Sequence, residues 1–266
     1  MRSSLAILLL LLTGCAHRSP GLPASPQSLH LEPFGDARKG DVRTLIIVLH
    51  GDAAPGARTD EYAFAEAAGR AVPESAVLAI LRPGYDDSRG HRSPGNRGTG
   101  VGDDYARTQI SDIATLVEDL QGRHPGTRTI VVGDGGGAAL AANIAGLYPT
   151  LFDGMVLVGC PCTLPEWRTH MAATSANPGW KTPVTSLDPL QTAGGVRTTT
   201  RAAILVGADD AVTPVAFSRA YAEALTLRGV ATDYRIVPGK GHDLLGDPEV
   251  LAATVRLAAT LPGKRP

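Results

Sequence analysis

Apolar and polar positions along this chain fall into two alternating rhythms. Short apolar runs bounded by polar or glycine-rich stretches recur at 44–49 (Thr-Leu-Ile-Ile-Val-Leu), 76–81, 129–132, 155–158 and 202–206, with a more polar run at 232–237. Runs of this length, without polar alternation, mark strands covered on both faces. A weaker alternation at Leu29 to Glu32 is a candidate first strand. Between the runs lie segments of helical period at 60–71, 105–120, 138–147, 215–227 and 248–259. In the second of these Ile110, Ile113, Val117 and Leu120 share one face. Thr59 or Asp60 can cap the first. Strand alternating with helix predicts an α/β fold, a doubly wound and mostly parallel sheet with right-handed crossovers.

Two stretches break the rhythm. Residues 82–104 are glycine-rich and poor in apolar side chains. Residues 160–200 form a cap-like segment with Trp167, Trp180, Pro161, Pro165, Pro178 and Pro183. Long loops inside compact domains tend to carry function. Tyr85, Tyr105, Trp167 and Trp180 are candidate pocket walls, although ordinary core packing is the simpler role for each.

The N-terminus has a separate logic. Met1-Arg2 leads into an apolar run, Leu5 to Leu12, too short to span a bilayer but right for a signal-peptide core. It ends in Leu12-Thr13-Gly14-Cys15, which resembles a bacterial lipobox. That resemblance implies a signal peptide over 1–14, a lipid on Cys15 and a membrane-tethered, extracytoplasmic protein. Ala16 after the cysteine favours the outer membrane, facing the periplasm, in a Gram-negative host. Pro20, Pro23 and Pro26 among Ser, Ala and Gly continue a flexible tether, assigned to 15–41, and the folded domain is expected over 42–266.

Composition narrows the partners. Of 266 residues 43% are apolar and 19% charged, enough for one large domain. The net charge of −1 comes with no basic block, so nucleic acid has nothing to bind electrostatically.

The chemistry gathers at three turns. After 129–132 the chain runs Gly133-Asp134-Gly135-Gly136-Gly137 into an alanine-rich helix. This matches the strand–turn–helix elbow Gly-x-Ser-x-Gly, with the outer glycines in place and Gly135 where the serine belongs. After 202–206 comes Gly207-Ala208-Asp209-Asp210-Ala211-Val212-Thr213-Pro214, an acidic turn. After 232–237 comes Gly239-Lys240-Gly241-His242-Asp243. Nucleophile position, acid and histidine thus follow in the order of α/β-hydrolases, with Asp210 preferred narrowly over Asp209 as the group that orients His242. His50-Gly51 at the end of 44–49 matches an oxyanion loop, in which the backbone N–H groups of Asp52 and Gly136 would hold a developing negative charge. His50 itself reads as a buried structural histidine. His17, His30, His91, His124 and His170 have no partner motif and read as exposed loop residues.

Over about residues 42–262 the chain resembles the α/β-hydrolase superfamily. It is closest to bacterial members with Arg82-Pro83-Gly84-Tyr85, Cys160-Pro161-Cys162 and Trp167-Arg168 at the corresponding places. The resemblance implies hydrolysis of a small ester, amide or peptide through an acyl-enzyme, with no metal and no organic cofactor. Gly135 departs from it, because glycine carries no nucleophile. One reading is a pseudoenzyme that binds a ligand on the helix N-terminus left open at the elbow. Another is weak hydrolysis by a water that His242 activates, for which the residual activity of triad-depleted enzymes sets a scale of about 10³–10⁴ over the uncatalysed rate. A third makes Asp134 the nucleophile, one position early and aimed elsewhere. Serine and glycine codons differ by one base, so an engineered or accidental change gives the same pattern.

With Cys15 lipidated, Cys160 and Cys162 remain. Two packed, reduced thiols are expected, since a ring closed across one proline is tight. A zinc site formed by them with His170 lacks the usual spacing.

Overall fold

The structure, a computed structural model, describes residues 29–35, 41–52, 61–98, 102 and 104–263. The signal peptide, Cys15, the tether to residue 28 and the capping candidates Thr59 and Asp60 lie outside the described residues.

Seven strands form one sheet: β1 (Leu31–Phe34), β2 (Thr44–Leu49), β3 (Ser75–Ile80), β4 (Arg128–Asp134), β5 (Gly154–Val158), β6 (Arg201–Gly207) and β7 (Ala231–Val237). Their order is β1-β3-β2-β4-β5-β6-β7, with β1 antiparallel to β3 and every other pairing parallel. Around it lie α1 (Tyr62–Ala71), α2 (Arg107–Arg123), α3 (Gly136–Leu147), α4 (Leu164–Thr174), a one-turn α5 (Pro189–Thr192), α6 (Val215–Leu227) and α7 (Pro248–Thr260). Each apolar run is a strand because both of its faces are covered. In β2, Leu45, Ile47 and Leu49 join the core under α2, α3 and α6, while Ile46 and Val48 join the core under α1 and α7. Burying each of these side chains contributes about 1.5–3 kcal/mol.

Three expectations shift. Residues 31–34 pair with β3 and Leu29 is buried, so a stretch assigned to the tether belongs to the folded unit. The helix expected over 105–120 runs from Arg107 to Arg123, because polar residues on its outer face extend it past the apolar stripe. The segment 160–200 has local structure after all: α4, a 3₁₀ turn at Pro178–Lys181, α5 and a second 3₁₀ turn at Ala193–Gly195. Short helices on irregular apolar spacing escape a test for periodicity. Among the described residues no helix is long and apolar enough to cross a membrane.

Candidate active site

The elbow lies between β4 and α3. Gly135 has φ 47° and ψ −113°, a conformation that glycine adopts most easily. Its N–H donates to Val158 O (2.8 Å), while its carbonyl accepts from Ala138 and Ala139 and starts the helix. Gly133 and Gly137 are glycines for a different reason. A Cβ on Gly133 would lie 2.5 Å from Gly137 O, and one on Gly137 would run into the carbonyls of Leu49 and His50. A Cβ on Gly135, by contrast, would find room. Its nearest atoms would be His242 Nε2 at 3.5 Å, Gly51 Cα at 3.7 Å and His242 Cε1 at 3.8 Å. A side chain there would point at the imidazole.

The structure brings Asp210 to His242. Asp210 Oδ2 lies 3.0 Å from His242 Nδ1, and Oδ1 accepts the N–H groups of Val212 (2.9 Å) and Thr213 (2.7 Å). Thr213, which the sequence did not single out, adds its hydroxyl 2.7 Å from Asp210 Oδ2, 3.0 Å from Gly159 O and 3.1 Å from His242 Nδ1. Asp209 instead points to water, its N–H held by Lys240 O. Burial works against charge on His242, but the hydrogen bond and charge of Asp210, with Asp134 and Asp52 beyond, raise its pKa above the usual 6.5. Burial would likewise raise Asp210, yet hydrogen bonds from His242 and Thr213 outweigh it and hold the carboxyl below its ordinary range.

On the opposite wall Asp52 does lie beside Gly136, but its side chain takes the space between them. The carboxylate rests so closely on Gly136 that no Cβ fits there. It accepts from Arg82 Nη1 (2.9 Å), Tyr85 (3.3 Å) and the Tyr105 hydroxyl. Arg82 is buried, also donates to His50 O (3.1 Å), and lies over the Tyr85 ring at 4.7 Å. His50 is buried, as expected. Its Nε2 accepts the Arg82 N–H (3.0 Å), and burial with the Arg82 charge holds its pKa well below 6.5, so the ring is neutral. Sequence reasoning took Arg82 only as part of a resemblance. That an arginine would be buried behind His50 and Asp52 has no local signal.

Asp134 ends β4 with its Oδ1 buried and unpartnered. Burial drives its carboxyl up to about 7 despite the opposing charge of His242. Tyr85, Tyr105, Trp167 and Trp180 are all buried and pack as core. Trp167 and Trp180 meet edge to face at 4.9 Å, and Trp167 Nε1 donates to Val212 O (2.9 Å), which ties α4 to the acid turn. Cys160 and Cys162 are not the reduced pair expected. They form a disulfide, their Cα atoms 5.1 Å apart and within the normal span. His91 is exposed in a loop, as expected, while His30 is half-buried, and both face Asp87.

A family model described as serine aminopeptidase, S33 matches residues 40–187, more than half of the chain and including His50-Gly51 and the 133–137 turn. The chain belongs to that family. It is therefore an α/β-hydrolase, as its sheet order and elbow indicate. Asp210 and His242 lie beyond the matched residues, so their pairing is known from the fold alone. No curated protein matches the chain. Among solved structures it is similar to a monoacylglycerol lipase from Paleococcus ferrophilus (18% identity, 87% of this chain and 98% of that one, TM-score 0.58). It is also similar to the Pyrococcus furiosus esterase Pf2001 (18%, 85% and 86%, TM-score 0.62). A third is a thermostable carboxyl esterase from Bacillus coagulans in complex with glycerol (14%, 87% and 93%, TM-score 0.62). At these identities the likeness is one of fold.

Proposed function

We propose that this S33-family chain is an esterase-like protein whose acyl-enzyme route is closed at Gly135, and that it binds a small ester, amide or peptide ligand over the elbow without covalent turnover. One observation carries the reading: His242 Nε2 stands 3.5 Å from the Cβ position of Gly135, with Asp210 behind it and no hydroxyl in front. The Asp52 carboxylate against Gly136 adds to it, because negative charge there opposes an oxyanion. The esterase and lipase neighbours favour an ester among the ligand classes. Water activated by His242 is the rival reading, since the imidazole faces the vacated space.

The test pairs a short-chain chromogenic ester with a fluorophosphonate label. The chain as it stands should neither hydrolyse nor label. Gly135→Ser should do both, and Gly135→Ser/His242→Ala should do neither. Hydrolysis by the unaltered chain that disappears with His242→Ala would establish the water route instead.

The proposal extends to location. Leu12-Thr13-Gly14-Cys15 supports a lipid anchor on Cys15 that holds the domain at an extracytoplasmic membrane face. Incorporation of a labelled acyl chain, lost in Cys15→Ser, is the check.

A further inference from the structure

Away from the elbow, where β1 begins beside the loop that follows β3, three side chains converge that the hydrolase reading does not use. One ligand atom from each of His30, Asp87 and His91 lies within 4.8 Å of the other two. We propose that they bind one divalent transition-metal ion of the zinc type.

The spacing is the first reason. His30 Nε2 is 3.9 Å from Asp87 Oδ2 and 3.8 Å from Glu32 Oε2, too far for hydrogen bonds. Two donors each about 2.0–2.2 Å from one zinc ion stand roughly 3.4 Å apart in a tetrahedral site and no more than about 4.4 Å apart in any geometry. His91 Nδ1, now 2.8 Å from Asp87 Oδ2, needs only to open by a fraction of an ångström.

Unmet polarity is the second reason. His30 Nε2 is buried and has no hydrogen-bond partner, an expensive state for a ring nitrogen. Asp87 is fully buried, and among the described residues the cationic groups paired with it are the two imidazoles. Arg89, the nearest cation in sequence, reaches Glu32 instead. A divalent ion would satisfy the nitrogen and balance the charge of the carboxylate, whose oxygens already accept hydrogen bonds.

Third, the Asp87 carboxylate and the His30 backbone are already held in place. Asp87 Oδ1 accepts the N–H groups of Arg89 (2.9 Å) and His91 (2.7 Å), and Oδ2 accepts the Tyr62 hydroxyl from α1. The backbone of His30 is fixed on both sides, its N–H by Ser93 Oγ (2.9 Å) and its carbonyl by Leu81 N–H (2.9 Å). The His30 and His91 rings stack with centroids 4.0 Å apart and planes 19° from parallel, so one ring must turn about its side-chain bonds for both nitrogens to aim at one ion. Outer partners that orient ligands in this way are a regular part of metal sites. Two imidazoles and a carboxylate select zinc, cobalt, nickel or copper over magnesium or calcium. Glu32 or water would complete the coordination. Such an ion would clamp the start of the folded unit, the point where chain 1–28 enters it, to the loop after β3.

The experiment is calorimetric titration of the untagged, EDTA-treated full chain with Zn²⁺, with Co²⁺ as a spectroscopic probe. One ion per chain is expected, with cobalt bands of low-symmetry N/O coordination and a higher Tm. His30→Gln and His91→Gln should each weaken binding by more than the roughly 10–100-fold that loss of an outer partner costs. His124→Gln and His242→Ala should leave it unchanged. Absence of one-to-one binding, binding that both the His30 and His91 variants retain, or binding lost with His242→Ala would each overturn the proposal.

Discussion

The His242 imidazole faces the point where a side chain on Gly135 would begin. The imidazole Nε2 is 3.5 Å from the point where a Cβ would lie, close enough for a hydroxyl one bond further out to reach it. Among the described residues nothing has collapsed into the gap, because the positions of Gly135 and His242 are set from elsewhere. Val158 O holds the elbow, while Asp210 and Thr213 hold the ring.

The elbow conformation sets the first prediction. At φ 47°, ψ −113° a serine is strained where glycine is not, so Gly135→Ser should lower stability by about 1–3 kcal/mol even as it restores a hydroxyl. Urea denaturation of the two forms measures this. Equal or greater stability of the serine form would mean that the elbow relaxes.

Asp210 should matter only where there is chemistry to support. In the Gly135→Ser background, Asp210→Asn should reduce ester hydrolysis by about 10⁴-fold, by favouring the wrong imidazole tautomer. Rates of the double variant against Gly135→Ser decide it, and a loss below tenfold would remove Asp210 from the role.

Asp134 supplies a pH signature. Its folded-state pKa of about 7 lies above the ordinary 3.8, so the folded chain binds the extra proton between those values. That contribution to stability is fully present below pH 3.8 and is lost as pH rises through 7. Asp134→Asn should therefore flatten the fall in Tm between pH 5 and pH 8. A pH profile parallel to that of the parent would contradict it.

Arg82 is a buried cation behind His50 and Gly136, with Asp52 as its partner at 2.9 Å. Removing one member of a buried pair leaves the other uncompensated, at about 3–5 kcal/mol. Asp52 keeps 32% of its side chain in water, which discounts the loss to the lower end, about 3 kcal/mol for Arg82→Ala. A loss under about 1 kcal/mol in urea, the range of surface pairs, would show that the pair is not structural.

The amino-acid order alone determined the layers of this fold and the sequence positions of the elbow, the acid turn and the histidine turn. Those properties are local. A strand buried on both faces must be apolar throughout, and a turn as tight as 133–137 must be glycine-rich. The sequence also displayed that residue 135 carries no side chain, since a side chain is present or absent at a numbered position. Tertiary structure decided what depends on distant segments meeting. It chose Asp210 over Asp209, because only one of two adjacent side chains faces a histidine that arrives from another strand. It placed the Asp52 carboxylate on Gly136, through an arginine and two tyrosines supplied by other segments. It also gathered His30, Asp87 and His91, which no spacing rule links, since an edge strand and a loop are joined there only by folding.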